Sequence, residues 1–437
     1  MSSALARAPT CFERERKLGP LQVILAMQAA HFAGSQEGGQ SWEDGLASVV
    51  NSVGADTAWG RRFTVSRAAF HEAIKKIDVG DESLLWQACQ SMFPTPGSTL
   101  SAMHGVRFAH VDGTQLRVAR SAELLKVFGT QSNGPHASSH YPAGKCVVML
   151  EAGTQRVLGH ELCRCKAFAH EKAPLLAHEE REAWRRIRAR NTEKYAIIAD
   201  CGFASYQDFA ALLAADDSFI IAVSKSWKVI TKFRAGKKSE AVVTVQMPQK
   251  PERTLTLRIF TIKDGEGKTR YIATNLRHPF TLSECRRLYK TRWSIETWFR
   301  YAKQFLALRK LRSTTLRGVR LEILAILMVM QAIAAIRAVI ALHTNHISNL
   351  LCTLKEGFRK AKFRTALRAT CRALCDVLTA SRADRPPPEF RQLLETTIAY
   401  KPGRKFLRVG KSPDGVFIPR RPSRSQRKAM KGQSVTR

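Results

Sequence analysis

The sequence predicts an α/β protein: a mixed sheet with flanking helices, interrupted by a β-strand-rich insertion and carrying helical regions at both ends. Three observations lead there. The strand-like segments "RFAHVDGTQLRV", "GKCVVMLEA" and "RVLGHELCR" follow one another, the last two reading as a hairpin. After a charged helix ending "EEREAWRRIRAR", the buried apolar strand "YAIIADCGF", the helix "YQDFAALLAA" and the strand "FIIAVS" alternate, as in a sheet with helices packed on it. Then "AVVTVQM", "TLTLRIFTI" and "TRYIATN" alternate apolar and polar residues in a second strand-rich block.

The flanks read as helices. Near the start, "TVSRAAFHEAIKKI" has a Thr or Ser N-cap and apolar residues at Ala69, Phe70, Ala73, Ile74 and Ile77. Two readings stay open: a recognition helix with Arg61, Arg62 and Arg67 near its start, or an ordinary helix of a small bundle. The longest apolar stretch, Ile323 to Ile336, is interrupted by Gln331 and bounded by Glu322 and Arg337, which predicts a buried core helix and not a membrane span. "RADRPPPEFRQ" breaks the last helical run. The resulting division is a helical N-terminal region at 1–100, a core in two parts at 101–224 and 280–345, a basic β-rich insertion at 225–279, C-terminal helices at 346–400 and a basic tail at 401–437.

Charge narrows the partner. Against 36 Asp+Glu stand 71 Lys+Arg, a net +35, which favours a polyanion, either nucleic acid or an anionic membrane surface. The buried reading of the longest apolar run weakens the membrane alternative. The first hundred residues are nearly neutral, with 9 basic and 10 acidic, whereas 225–275 hold 12 basic against 4 acidic and the tail 12 against 1. The ten cysteines include a C-x-C pair (Cys163, Cys165) and a C-x3-C pair (Cys371, Cys375), neither joined by the second half of a zinc site, so reduced thiols are expected. No sustained apolar run follows Met1, so no signal peptide is expected and the protein is placed in the cytoplasm.

Three acids sit awkwardly in this pattern: Asp112 after an apolar strand run, Asp200 at the end of "AIIAD", and Glu296 on the helix "YKTRWSIETWFRYAK". Each has a structural alternative: a hairpin turn at Asp112-Gly113, a helix cap at Asp200, a solvated helix face at Glu296. On an ideal helix Tyr289, Arg292, Glu296 and Lys303 fall within an arc of roughly 60°, clear of Ile295, Trp298 and Phe299. Converging at one edge of a sheet, three carboxylates need cations, which implies divalent metal. Two Mg2+ ions roughly 3.5–4 Å apart, with Mn2+ able to substitute, would serve phosphodiester displacement on a polyanionic substrate.

The helix matches Y-x2-R-x3-E-x6-K, four fixed residues that arise by chance at roughly one start position in 10^5. In this it resembles the DDE insertion-sequence transposases of the insertion-sequence-four type. "HVDGTQL" looks like that family's first-aspartate strand, "IIADCGFAS" like its second, and "YIATNL" like its lead-in to the glutamate helix; the resemblance covers about residues 105–345. It implies an RNase H-like core with an inserted β-strand domain, and cleavage of double-stranded DNA at transposon ends followed by strand transfer into target DNA. It also implies a homodimer on paired ends and association with the bacterial nucleoid. Asp112, Asp200 and Glu296 would be the metal-binding catalytic triad, with Asp112 bridging both ions, while Tyr289, Arg292 and Lys303 would hold phosphates. Trp293 would either stack near the DNA or pack in the core. Tyr271 stands where some relatives use a tryptophan to stack a flipped base.

Overall fold

The alternation in "RFAHVDGTQLR" becomes a twelve-residue strand inside a ten-stranded mixed sheet. The computed structural model describes residues 23–24, 27–28, 67–77, 84–91, 102–132, 138–164, 176–235, 239–248, 250–264, 267–309, 311–343, 409–411 and 417–419. Helices α1 (Arg67–Lys75) and α2 (Leu84–Ser91) come first, followed by β1 (Ala102–Met103), β2 (Val106–Arg117), α3 (Ala122–Phe128), β3 (Thr130–Ser132), β4 (Ser138–Glu151) and β5 (Val157–Arg164). Next are α4 (Glu180–Arg190), β6 (Ala196–Ala199), α5 (Tyr206–Ala214), β7 (Phe219–Val223), α6 (Lys228–Ala235), β8 (Glu240–Met247), β9 (Lys250–Lys263) and β10 (Thr269–Thr274). Helices α7 (Leu282–Lys290), α8 (Trp293–Phe305) and α9 (Leu316–His343) follow, and β11 (Val409–Lys411) pairs with β12 (Phe417–Pro419) in a separate ribbon.

The sheet order is β3-β4-β2-β6-β7-β10-β9-β8, with β1 on β2 and β5 on β4. β2, β6 and β7 are parallel neighbours, and α5 crosses from β6 to β7 as a βαβ unit requires. Their ladder decides where the site lies. Its last pair is Val111↔Ala199, so Asp112 and Asp200 leave it side by side, while β2 runs on against β4 from Asp112↔Val148 to Arg117↔Ala143. Asp112 therefore sits in the middle of its strand and not in a hairpin turn; only its parallel partner ends there.

The β-rich segment at 225–279 forms no sheet of its own among the described residues. β10 pairs antiparallel with β7, from Tyr271↔Val223 to Thr274↔Ile220, and β9 and β8 extend the same sheet. The reason is the free edge of β7, five residues buried on both faces, which would be left unpaired without β10. The polar pair closing "YIATN" clamps that junction. Thr274 Oγ1 donates to the Phe219 carbonyl at 2.5 Å, and Asn275 Oδ1 accepts from the Phe219 N–H at 3.0 Å. Helices α3 and α6 were not foreseen from the pattern.

Helices cover both faces. Trp184 of α4, Phe209 of α5 and Phe233 of α6 pack over Val111, Val147, Ile197 and Ile221. Ile295, Trp298 and Phe299 of α8, with Ile323, Ile326, Leu327 and Met330 of α9, pack over Leu116, Cys146, Val148 and Leu150. Each large apolar side chain so buried stabilises by about 1.5–3 kcal/mol relative to exposure.

Helix α9 is long and apolar enough to cross a membrane, but 83% of the Leu316–Ala335 window is buried within the protein. Its polar interruptions are bonded. Gln331 Oε1 accepts from the Val157 N–H at 2.7 Å, and the fully buried Glu322 accepts from the N–H groups of Arg312 and Ser313. Helix α1 turns Ala73 and Ile74 inward and packs on α9, as a bundle helix would; Arg61 and Arg62 lie outside the described residues. The C-terminal helices expected at 346–400, with Cys371 and Cys375, and also Cys165, lie outside them too, while Cys163 is a buried free thiol.

Candidate active site

Asp112 and Asp200 share the sheet face covered by α7, α8 and α9, since Leu116, four residues along β2, packs with α8 and α9, and Ile198 on β6 packs with Cys285 and Leu288 of α7. Asp112 Oδ1 accepts from the Gly113 N–H at 2.8 Å, and Asp200 Oδ1 from the Gly202 N–H at 2.8 Å. The cap expected of Asp200 is therefore present, on the 3-10 turn Cys201–Phe203. Burial raises the pKa of Asp112 to about 6, and the carboxylates of Asp200 and Glu296 add to the rise against the opposing Gly113 N–H and Arg292. Asp112 thus lies in the field of both other acids.

Glu296 arrives on a helix that is broken. Tyr289 lies in the last turn of α7 and Glu296 in the first turn of α8, with Thr291 and Arg292 between the helices in a tight right-handed turn (φ/ψ −65/−17° and −49/−33°). This corrects the single helix read from the sequence. The Arg292 guanidinium is 11% exposed and bridges the acids: its Nη2 donates to Glu296 Oε1 at 2.7 Å, and its Nη1 stands 3.8 Å from Asp112 Oδ2. The second distance is an ion pair without a hydrogen bond.

Tyr289 is only 5% exposed; burial raises its pKa, with Arg292 opposing the rise and the Asp200 charge adding to it. The structure therefore places Tyr289, expected to hold phosphate, beside Arg292 and in the field of Asp200. Lys303, half-buried two turns along α8, has its pKa lowered by burial and by Arg309, against the attraction of Asp112. Trp293 is 61% exposed with its ring centroid 6.0 Å from the Arg292 guanidinium carbon, which removes the core-packing alternative. Tyr271 is not at the site. It packs on the opposite sheet face, edge-on to Phe233 at 6.1 Å, because alternation along β10 sends Ile272 and not Tyr271 toward the acids' side.

Sequence reasoning missed two supports. His110, two residues before Asp112 on the same face of β2, is fully buried and bonds Thr291 and Ser294; burial, helped by Arg292, lowers its pKa to about 3. The available signal was a histidine in an apolar strand run at an even spacing from the aspartate. On the other face the Glu180 side chain closes on Gly113 and would have to shift for any larger residue. A Cβ there would stand 2.0 Å from Glu180 Oε1, a carboxylate of the first turn of α4 that pairs with Lys145 at 2.6 Å.

Carboxylate oxygens in a shared field are the hard donors that Mg2+ or Mn2+ takes, so the residue set fits a divalent ion. It is not a closed cage: among the described residues no three acidic, histidine or cysteine side chains lie close enough to enclose one ion. Glu296 is turned to Arg292 instead.

Comparison with known proteins bears on the family of the chain. The chain is similar to piggyBac transposase in a synaptic complex with hairpin DNA, at 13% identity and a TM-score of 0.48 over 93% of this chain and 82% of that one. No curated protein matches. Residues 107–331, more than half of the chain, match the family model described as the transposase DDE domain, and they run from the strand of Asp112 through Asp200 and Glu296 into α9. The chain belongs to the family of DDE-domain transposases.

Proposed function

We propose that the chain is a transposase of the insertion-sequence-four type, cutting double-stranded DNA at the ends of its element and joining the freed 3′-hydroxyl to target DNA. The observation that carries this reading is the pairing of Asp112 with Asp200 where the β2–β6 ladder ends, with Arg292 linking that pair to Glu296. The mixed sheet supports an RNase H-like core. Asp112, Asp200 and Glu296 would hold Mg2+, or Mn2+ in its place. Bound there, the ions would activate the attacking oxygen and stabilise the leaving one.

The chain's own side chains supply the rest. Arg292 exchanges Glu296 for a DNA phosphate, which its planar fork can grip bidentately. Lys303 adds a second cation near Asp112, and the exposed indole of Trp293 offers a face for base stacking. Tyr289 holds Arg292 in place. The basic strands of 225–279 and the tail at 401–437 contact phosphates without reading sequence. Residues 1–100 serve end recognition and 346–400 dimerisation, since two ends must be paired.

One observation favours a second reading, a DNA-binding relative that no longer cuts: Glu296 is engaged by Arg292 and no three acids enclose an ion among the described residues. The test incubates purified protein with a DNA fragment carrying its own gene and flanks, in Mg2+ or Ca2+, and maps new 3′-hydroxyl ends. Discrete Mg2+-dependent cuts at the same two boundaries are expected. Binding without cuts would establish the inert reading, and scattered cuts a general nuclease.

A further inference from the structure

The turn that presents Arg292 is held weakly by its own backbone. Thr291 N–H reaches the Leu288 carbonyl (3.0 Å), Arg292 that of Tyr289 (3.1 Å), Ser294 that of Thr291 (2.9 Å) and Ile295 that of Arg292 (3.2 Å). All are i→i−3 bonds, the poorer 3-10 geometry, so α-helical bonding does not carry rigidity across from α7 to α8.

His110 spans that gap. Its Nε2 lies 2.8 Å from Thr291 Oγ1 and its Nδ1 3.0 Å from Ser294 Oγ, so its two bonds bracket Arg292 and Trp293. The direction of the chain is fixed at one end, because the Thr291 hydroxyl donates to the Leu288 carbonyl at 2.6 Å. Thr291 Oγ1 therefore accepts from the ring, which puts the proton on Nε2 and leaves Nδ1 to accept from the Ser294 hydroxyl. Both ring nitrogens and both hydroxyls are satisfied, and a satisfied buried network is rigid. Along β2, His110 and Asp112 are roughly 6.6 Å apart on one face. The ring thus ties the strand of the first aspartate to the turn of the arginine.

A histidine that merely fills the core would not need both nitrogens matched by side chains flanking one turn. We infer that His110 is a positioning residue for DNA cleavage, locking the α7–α8 turn so that Arg292 stays registered on Asp112 and Glu296. This rests on the transposase reading for its kinetic consequence, though not for the lock itself.

The test uses the full chain. His110→Phe keeps ring volume and removes both bonds, and it is measured alone and with Arg292→Ala. Expected for His110→Phe is a single-turnover cleavage rate about 10–100-fold lower at saturating DNA and Mg2+, since a small misplacement costs that much. DNA affinity should stay within about 2-fold, and the thermal midpoint should fall by only about a few degrees, leaving the protein folded under assay conditions. In the Arg292→Ala background the same replacement should cost less than about 3-fold, because an effect carried by the arginine vanishes with it. An equal loss in both backgrounds would overturn the inference. His110→Asn, which can still reach Ser294, should recover part of the rate. If His110→Phe does not fold, Thr291→Val with Ser294→Ala removes the same bonds from the helix side and should reproduce the loss.

Amide hydrogen exchange over residues 289–296 reads the lock without cleavage. Faster exchange in the variant supports it and unchanged exchange overturns it. If the wild-type chain cuts no DNA, the transposase reading has failed, and exchange alone decides the lock.

Discussion

Strand β2 passes two acid clusters, and they are built differently. At its start, Arg107 and Arg156 meet Glu151 and Glu193, two guanidiniums for two carboxylates. Glu193 takes Arg107 at 2.7 Å, the Tyr195 hydroxyl at 2.6 Å and Arg156 at 3.5 Å, while Glu151 takes Thr154 and, at 3.4 Å, Tyr195. Burial pushes Glu193 up, but Tyr195 and the two arginines outweigh it and hold its carboxyl below the usual range. Five residues on, Arg292 alone faces Asp112 and Glu296, Asp200 adds its charge to theirs, and Asp112 is raised to about 6. The first cluster is charge-matched, although burial still raises the more deeply placed Glu151 against Thr154 and the two arginines. The second has excess negative charge in a partly dry site, the condition in which a divalent cation is favoured. Acids gathered beside one strand thus differ in whether their neighbours supply matching positive charge.

The largest break in that comparison comes from removing one acid on each side. Asp112→Ala should bring DNA cleavage to background while end binding, measured by gel shift, stays within about 3-fold. Glu193→Gln should leave the cleavage rate of the folded protein unchanged. Loss of cleavage in both would mean the two clusters do not differ in kind.

Arg292→Ala sharpens the contrast next. Cleavage should fall about 10^2–10^3-fold, as when a preorganised charge-stabilising donor is removed. Mn2+ should bind more tightly, because Glu296 loses its competitor. Weaker Mn2+ binding would show that the arginine organises the acids and does not occupy them.

Two smaller effects concern stability. Glu193→Gln removes a charged acceptor from a matched cluster and should cost about 1–3 kcal/mol in urea unfolding. Asp112→Asn should do the reverse in metal-free protein. The Asp112 pKa is raised from 3.8 unfolded to about 6 folded, so the native state holds the extra proton between those values and loses stability as pH rises through them. Removing the charge should therefore stabilise above pH 6 by on the order of 1–3 kcal/mol, with no gain below pH 4. A gain that grows toward low pH would carry the wrong sign.

Much of the site was legible because its chemistry repeats at spacings that backbone geometry respects. Arg292 and Glu296, four apart, do pair, and the acids ending two apolar runs meet where their strands stop pairing. The alternation that placed the β-rich block also describes strands at the edge of a larger sheet, so pattern alone could not show that β10 would join β7. Tyr271 was lost to period two: a shift of one residue moves a side chain to the other face. The break at Thr291 carries no glycine or proline to announce it. His110, 181 positions away in the chain, bonds to it, a contact no local pattern encodes.

The most direct measurement is a Mn2+ titration of the metal-free protein followed by electron paramagnetic resonance, with wild type, Asp112→Asn and Glu193→Gln in parallel. Up to two Mn2+ should bind wild type and Glu193→Gln alike, and Asp112→Asn should lose them. Equal binding by all three, or none by wild type, would contradict a metal centre at Asp112, Asp200 and Glu296.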